Sequence, residues 1–107
     1  MAHQWGTPGL IGTTLRCLGE LQDESPGGDG RPALRAAVEA LAASPRRLEE
    51  ARARASLGRA LLRSDRSPEA AREESRNEAQ AHLHRALDLA DQCAARGLRE
   101  EVAALLQ

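Results

Sequence analysis

The chain has 107 residues, 41% of them hydrophobic and 29% charged, and Lys+Arg 15 against Asp+Glu 16 leave a formal net charge of −1. With one Trp and no Phe or Tyr, it lacks the aromatic and β-branched residues of a β-sandwich or barrel, and the ring stack of a single-strand nucleic-acid surface. Near-zero net charge gives duplex DNA no electrostatic footprint, so these numbers point to one small, soluble, helical domain or a piece of a larger one.

Turn-forming residues cut the chain into helical segments. Thr7-Pro8 predicts a first helix over about 8–22, with Pro at its first position and Ile11, Leu15, Leu18 and Leu21 or Gln22 at helical spacing. Gly9 and Gly12 weaken its first turns. A flexible loop over 23–30, centred on Ser25-Pro26-Gly27-Gly28-Asp29-Gly30, precedes a second helix over about 31–43 with Leu34, Ala37, Val38 and Leu41 as its buried stripe. Ser44-Pro45 reads as an N-cap followed by Pro where no donor is needed, opening a third helix over about 45–64. Glu49 and Glu50 then sit near the positive end of the dipole. Its expected seam is Leu48, Ala51, Ala55, Gly58 and Leu62, with Leu57 and Leu61 beside it. Ser67-Pro68 predicts a fourth helix over about 68–95, with Ser75 to Asn77 as a candidate break. Its seam is Ala79, Leu83, Ala86, Leu87, Ala90 and Cys93 or Ala94, and Gly97 is the expected stop. A last segment over about 98–107 carries Leu98, Val102, Leu105 and Leu106, an apolar stripe that suggests a neighbouring repeat or a self-contact. The fold class is all-α, built of antiparallel helical hairpins.

Few residue groupings suggest chemistry. All fifteen basic residues are Arg, which would suit planar recognition of phosphate or carboxylate. Acids are interspersed among them throughout, however, so the pattern reads as a solvated, ion-paired surface. His82 and His84 lie about 200° apart on a helix. His82 with Glu78 has a ligand-compatible spacing, but no third donor converges on them. Cys17 and Cys93 read as separate buried packing thiols in a reducing cytoplasm, because neither has a base or a second thiol nearby in the sequence. Trp5 reads as a cover over the first hairpin, or as an anchor for a partner. No catalytic residues, metal ligands or cofactor are expected, and no apolar run is long enough to span a bilayer.

The first and third helices each carry a Leu-Gly pair, Leu18-Gly19 and Leu57-Gly58, and each is followed by a small–large–small triplet. The triplets are Gly30, Leu34 and Ala37, then Ala79, Leu83 and Ala86. Small residues let paired helices approach, and the Leu fills the groove opposite. This pattern is similar to the tetratricopeptide repeat, although the Leu-Gly pairs lie further apart than that family's period of roughly 34 residues. Extra length around Ser67 to Ser75 would account for the difference.

The ordered strings Gln4-Trp5-Gly6-Thr7-Pro8, Leu15-Arg16-Cys17-Leu18-Gly19-Glu20-Leu21, Leu34-Arg35-Ala36-Ala37-Val38-Glu39-Ala40-Leu41 and Ser44-Pro45-Arg46-Arg47-Leu48-Glu49 are continued by two more. These are Leu57-Gly58-Arg59-Ala60-Leu61-Leu62-Arg63 and Arg85-Ala86-Leu87-Asp88-Leu89-Ala90-Asp91-Gln92-Cys93. Together they resemble the C-terminal tetratricopeptide-like repeats of large ATP-binding LuxR-type transcriptional regulators. The family's phosphate-binding loop and helix-turn-helix do not occur in this sequence. The resemblance implies a non-enzymatic, cytoplasmic protein-interaction module whose partners are other domains of a regulator or a second copy of itself. Its concave face between first helices would carry the contact through Leu15, Arg16, Arg52, Arg59 and Arg63, with Leu18, Gly19, Leu57, Gly58, Ala79, Leu83 and Ala86 as packing residues. The alternative is an Arg-mediated nucleic-acid binder.

Overall fold

Five helices make up the computed structural model, which describes residues 8–25, 28–63 and 69–106. They are α1 (Pro8–Glu24), α2 (Arg31–Ala42), α3 (Arg47–Leu62), α4 (Glu69–Gln92) and α5 (Arg96–Leu106), and no strand occurs among the described residues. Trp5 and the Ser67-Pro68 start lie outside the described residues. The helix α4 runs unbroken through Ser75 to Asn77, the candidate break in the sequence. No helix of the described residues is long and apolar enough to cross a membrane.

Helix bounds shift by up to three residues from the sequence reading, and at two ends the capping differs. The hydroxyl of Ser44 accepts from the Arg46 amide at 3.1 Å, closing a local turn, and α3 starts two residues later than predicted with Arg46 as its N-cap. Ser44-Pro45 is therefore a lead-in rather than a cap, because a hydroxyl bonded two residues on is spent on the turn. Further along the chain, at the same end of the hairpin, α4 stops before Ala94, not at Gly97. Ala94 has φ 54°, and the Ala95 amide donates to the Ala90 carbonyl at 2.8 Å while the Ala94 amide donates to Asp91 at 3.2 Å. That pair of bonds is a Schellman stop, with Ala in the left-handed position that usually belongs to Gly. Gly97 instead lies in the first turn of α5, where a methyl group would meet nothing.

The packing follows from where the small residues fall. Gly12 of α1 faces Leu41 of α2, and Gly19 faces Leu34, so the two helices run in opposite directions. A Cβ on Gly19 would come within 2.6 Å of Leu34 Cγ, and one on Gly12 would collide with Leu41. The arrangement recurs in α3 and α4. Gly58 faces Leu83, and Arg47 reaches Gln92 from the far end of α4. The helices α1 and α3, by contrast, run in the same direction: Arg16 meets Glu49, Glu20 meets Ser56 and Asp23 meets Arg63 in succession. The helix α2 also packs on α3, and α4 on α5.

Two apolar clusters result. Leu34, Ala37, Val38, Leu41, Ala53, Leu57, Ala60, Leu61 and Ala79 form one, with Leu15 packed against it. Ala55, Leu83, Ala86 and Val102 form the other, flanked by Leu87, Leu98, Leu105 and Leu106. Burying each Leu side chain contributes on the order of 1.5–3 kcal/mol. The helix α3 contributes to both clusters and is buried nearly all round, as a helix with neighbours on several sides must be. Its predicted single seam is corrected accordingly: Leu57 and Leu61 are its most buried leucines, while Leu62 is exposed and Leu48 half-buried. On α4, Leu89 joins the buried set, and Cys93 and Ala94 do not.

Leu18, expected to pack, is 45% exposed and shares an outward stripe of α1 with Ile11 and Leu21. With Gly12 and Gly19 against α2, and Arg16, Glu20 and Asp23 against α3, the angular position of Leu18 falls outside both contacts. The expectation of buried thiols is overturned as well. Cys17 and Cys93 are both exposed and free.

Candidate functional site

The parallel run of α1 and α3 leaves a groove between them that α5 extends. It has a volume of about 410 Å³. The helix α3 and its C-cap supply Arg52, Ser56, Arg59 and Arg63, a row at i, i+4, i+7 and i+11 that a helix places on one side. From α1 come Arg16, Glu20, Asp23 and Glu24, and from α5 come Leu98 and Glu101. Leu34 and Ala55 complete the lining.

Every groove arginine is held by an acid. Arg16 donates through Nη1 to Glu20 at 3.2–3.3 Å and through Nη2 to Glu49 at 3.4 Å. Its Nε is buried and has no hydrogen-bond partner. Arg52 donates to Glu49 at 3.3 Å, Arg63 to Asp23 at 2.9 Å and Arg59 to Glu101. The Ser56 hydroxyl donates to Glu20. These pairs tie α1, α3 and α5 together and fix each guanidinium fork, and each exposed pair adds about 0–1 kcal/mol. The groove thus offers oriented donors and acceptors over a small apolar floor, an arrangement that suits binding.

Four of the five residues proposed as partner contacts, Arg16, Arg52, Arg59 and Arg63, surround this one groove. Leu15 does not, because it is half-buried and packs on the first cluster. Glu20, Asp23, Glu49, Ser56 and Glu101 were not anticipated. The pairs Arg16–Glu20 and Glu49–Arg52 were visible as i,i+4 and i,i+3 spacings, but the contacts between helices carry no local signal.

A second polar network lies where α2, α3 and α4 meet. Arg35 makes a two-pronged contact with Glu78, at 3.0 and 2.8 Å. Glu78 faces His82 Nε2 at 3.6 Å, and Arg54 Nη1 lies 3.0 Å from His82 Nδ1. Arg54 Nε also donates to the buried Glu50 at 2.8 Å. Because an arginine only donates, His82 accepts at Nδ1 and is neutral, with its proton on Nε2. Burial first, and then the Arg54 charge, push the His82 pKa below its ordinary value. The hydrogen bonds from Arg35 hold the Glu78 carboxyl below the usual carboxylate range. His84 is exposed on the far side of α4. Among the described residues, no group of three or more His, Cys, Asp or Glu could hold a metal ion.

Comparison of the chain with models of known protein families, with curated proteins and with solved structures finds no match.

Proposed function

We propose that the chain is a non-enzymatic, tetratricopeptide-like helical-repeat module that binds protein segments in the groove across α1, α3 and α5. The observation that carries this reading is the groove itself, open along two parallel helices and lined by oriented Arg–acid pairs over Ala55 and Leu98. Support for the repeat reading comes from the twofold recurrence of a helical Gly set against a Leu on the following antiparallel helix, Gly19 with Leu34 and Gly58 with Leu83. By its resemblance in sequence, the module is of the kind carried by LuxR-type transcriptional regulators, working in the cytoplasm on other domains of a regulator or on a second copy. An open reading frame joining this sequence to a phosphate-binding loop on one side and a helix-turn-helix on the other would support that origin. A reading frame joining it to unrelated domains would refute it.

The test of the groove is direct. Peptides selected from a random displayed library on the full chain should perturb the amide resonances of Arg16, Ser56, Arg59 and Leu98 when added to the isotope-labelled protein. Perturbations confined to the outer face of α4, or a library that yields no binder, would overturn the reading.

A further inference from the structure

The balanced charge of the groove conceals a layering. Arg52 is 48% exposed while its partner Glu49 is 21%, and Arg63 is 57% exposed while its partner Asp23 is 16%. At these two positions the acid is sunk between α1 and α3 and the guanidinium stands outward, bonded through one terminal nitrogen and keeping the rest of its fork. Arg59 and Arg16 are the exceptions, since Glu101, and Glu20 with Glu49, are the more exposed members of their pairs. Arg52 on α3 and Arg63 at its C-cap are eleven residues apart, roughly 16 Å along the helix axis. That distance is the reach of about five residues of an extended chain.

Resting on the groove reading, we infer that the occupant is an extended protein segment carrying two acidic side chains about five positions apart, one for Arg52 and one for Arg63. A short aliphatic residue between them would lie over Ala55 and Leu98. A nucleic acid fits this surface poorly. Its phosphates are charged at every step and cannot avoid Glu24 and Glu101 on the rim, whereas a peptide places its carboxylates only where the arginines stand. Sunken acids also keep the two forks fixed before the ligand arrives, which lowers the ordering cost of binding.

The experiment selects peptides from a random displayed library on the full wild-type chain and, separately, on Arg52→Gln and Arg63→Gln. Wild type should enrich sequences with Asp or Glu pairs about five apart. Each single variant should weaken the selected peptide about two- to fivefold, and rising salt should weaken wild-type binding further. Far-UV circular dichroism of both variants checks that they fold, and the isosteric peptide with Gln for both acids should bind weakly to all three proteins. Selected peptides that enter the groove without acidic enrichment, or whose binding ignores both substitutions, would overturn the charge assignment and leave the groove reading intact. Peptides that perturb resonances only outside the groove, or no binder at all, would overturn both. A single-stranded oligonucleotide binding more tightly than the acidic peptides would also overturn it.

Discussion

Gly58→Ala should destabilise the fold, and only while Leu83 is present. A Cβ at position 58 would lie 2.7 Å from both Cγ and Cδ2 of Leu83, about 1 Å inside ordinary carbon–carbon contact of ~3.5–4.0 Å. Leu83 is fully buried on α4 and has little room to withdraw, so α3 and α4 must part or Leu83 must leave its rotamer. Such overpacking costs on the order of 1–3 kcal/mol. Gly→Ala in a helix returns about 1 kcal/mol, leaving a net loss of roughly 0–2 kcal/mol. Leu83→Ala alone should cost about 2–5 kcal/mol by creating a cavity. In that background Gly58→Ala meets no clash and should become neutral or mildly stabilising, giving a coupling energy of about 1–3 kcal/mol between the two sites. Urea denaturation of the four proteins, followed by far-UV circular dichroism, measures the cycle. The reasoning fails if Gly58→Ala has the same effect in both backgrounds, or if Leu83→Ala costs less than about 0.5 kcal/mol.

Other outcomes follow from single sites. Ala94→Gly should raise stability by about 1 kcal/mol, because Ala94 holds φ 54°, where a Cβ costs roughly 1–2 kcal/mol; an unchanged thermal midpoint would refute it. Gly97→Ala, in open space at the start of α5, should stabilise by about 0.5 kcal/mol in the same assay. Since His82 has a lower pKa folded than unfolded, the unfolded chain takes up the proton first, and stability should decline as pH falls below the ordinary value of 6.5. His82→Gln should flatten that portion of the profile, whereas the loss from Glu78 should persist at more acid pH, below 4.5. Both Cys17 and Cys93, being exposed, should react with a thiol reagent in the native protein as fast as in urea. Protection of either would contradict its placement.

The helices were legible because Pro8, the Gly-rich stretch before Arg31 and Ser44-Pro45 interrupt long runs of Ala, Leu, Glu and Arg. The stripe Leu34, Ala37, Val38 and Leu41 was legible for the opposite reason, since α2 shows its core a single clean face and all four residues are buried. The helix α3 blurred the same logic. Its neighbours lie on several sides, so Ala53, Ala55 and Ala60 are as buried as the leucines and no one period stands out. The rotation of α1 escaped because Gly12, read as a weak helix former, is the residue that lets Leu41 approach. In the groove, Arg16, Arg52, Arg59 and Arg63 were named from the concave face that the family resemblance implies, and they do line it. The acids on α1 and α5 were not, since which residues meet across helices depends on register rather than on local sequence.

One helix serving both apolar clusters has a mechanical result. Arrays of repeats ordinarily lose their end units piecemeal, each unit leaning only on the next. Here Leu57 and Leu61 of α3 close the first cluster and Ala55, two residues before Leu57, closes the second. Neither half keeps its interior once that shared rod melts, which ties the molecule into a single cooperative unit and makes two-state loss of structure its natural mode of unfolding.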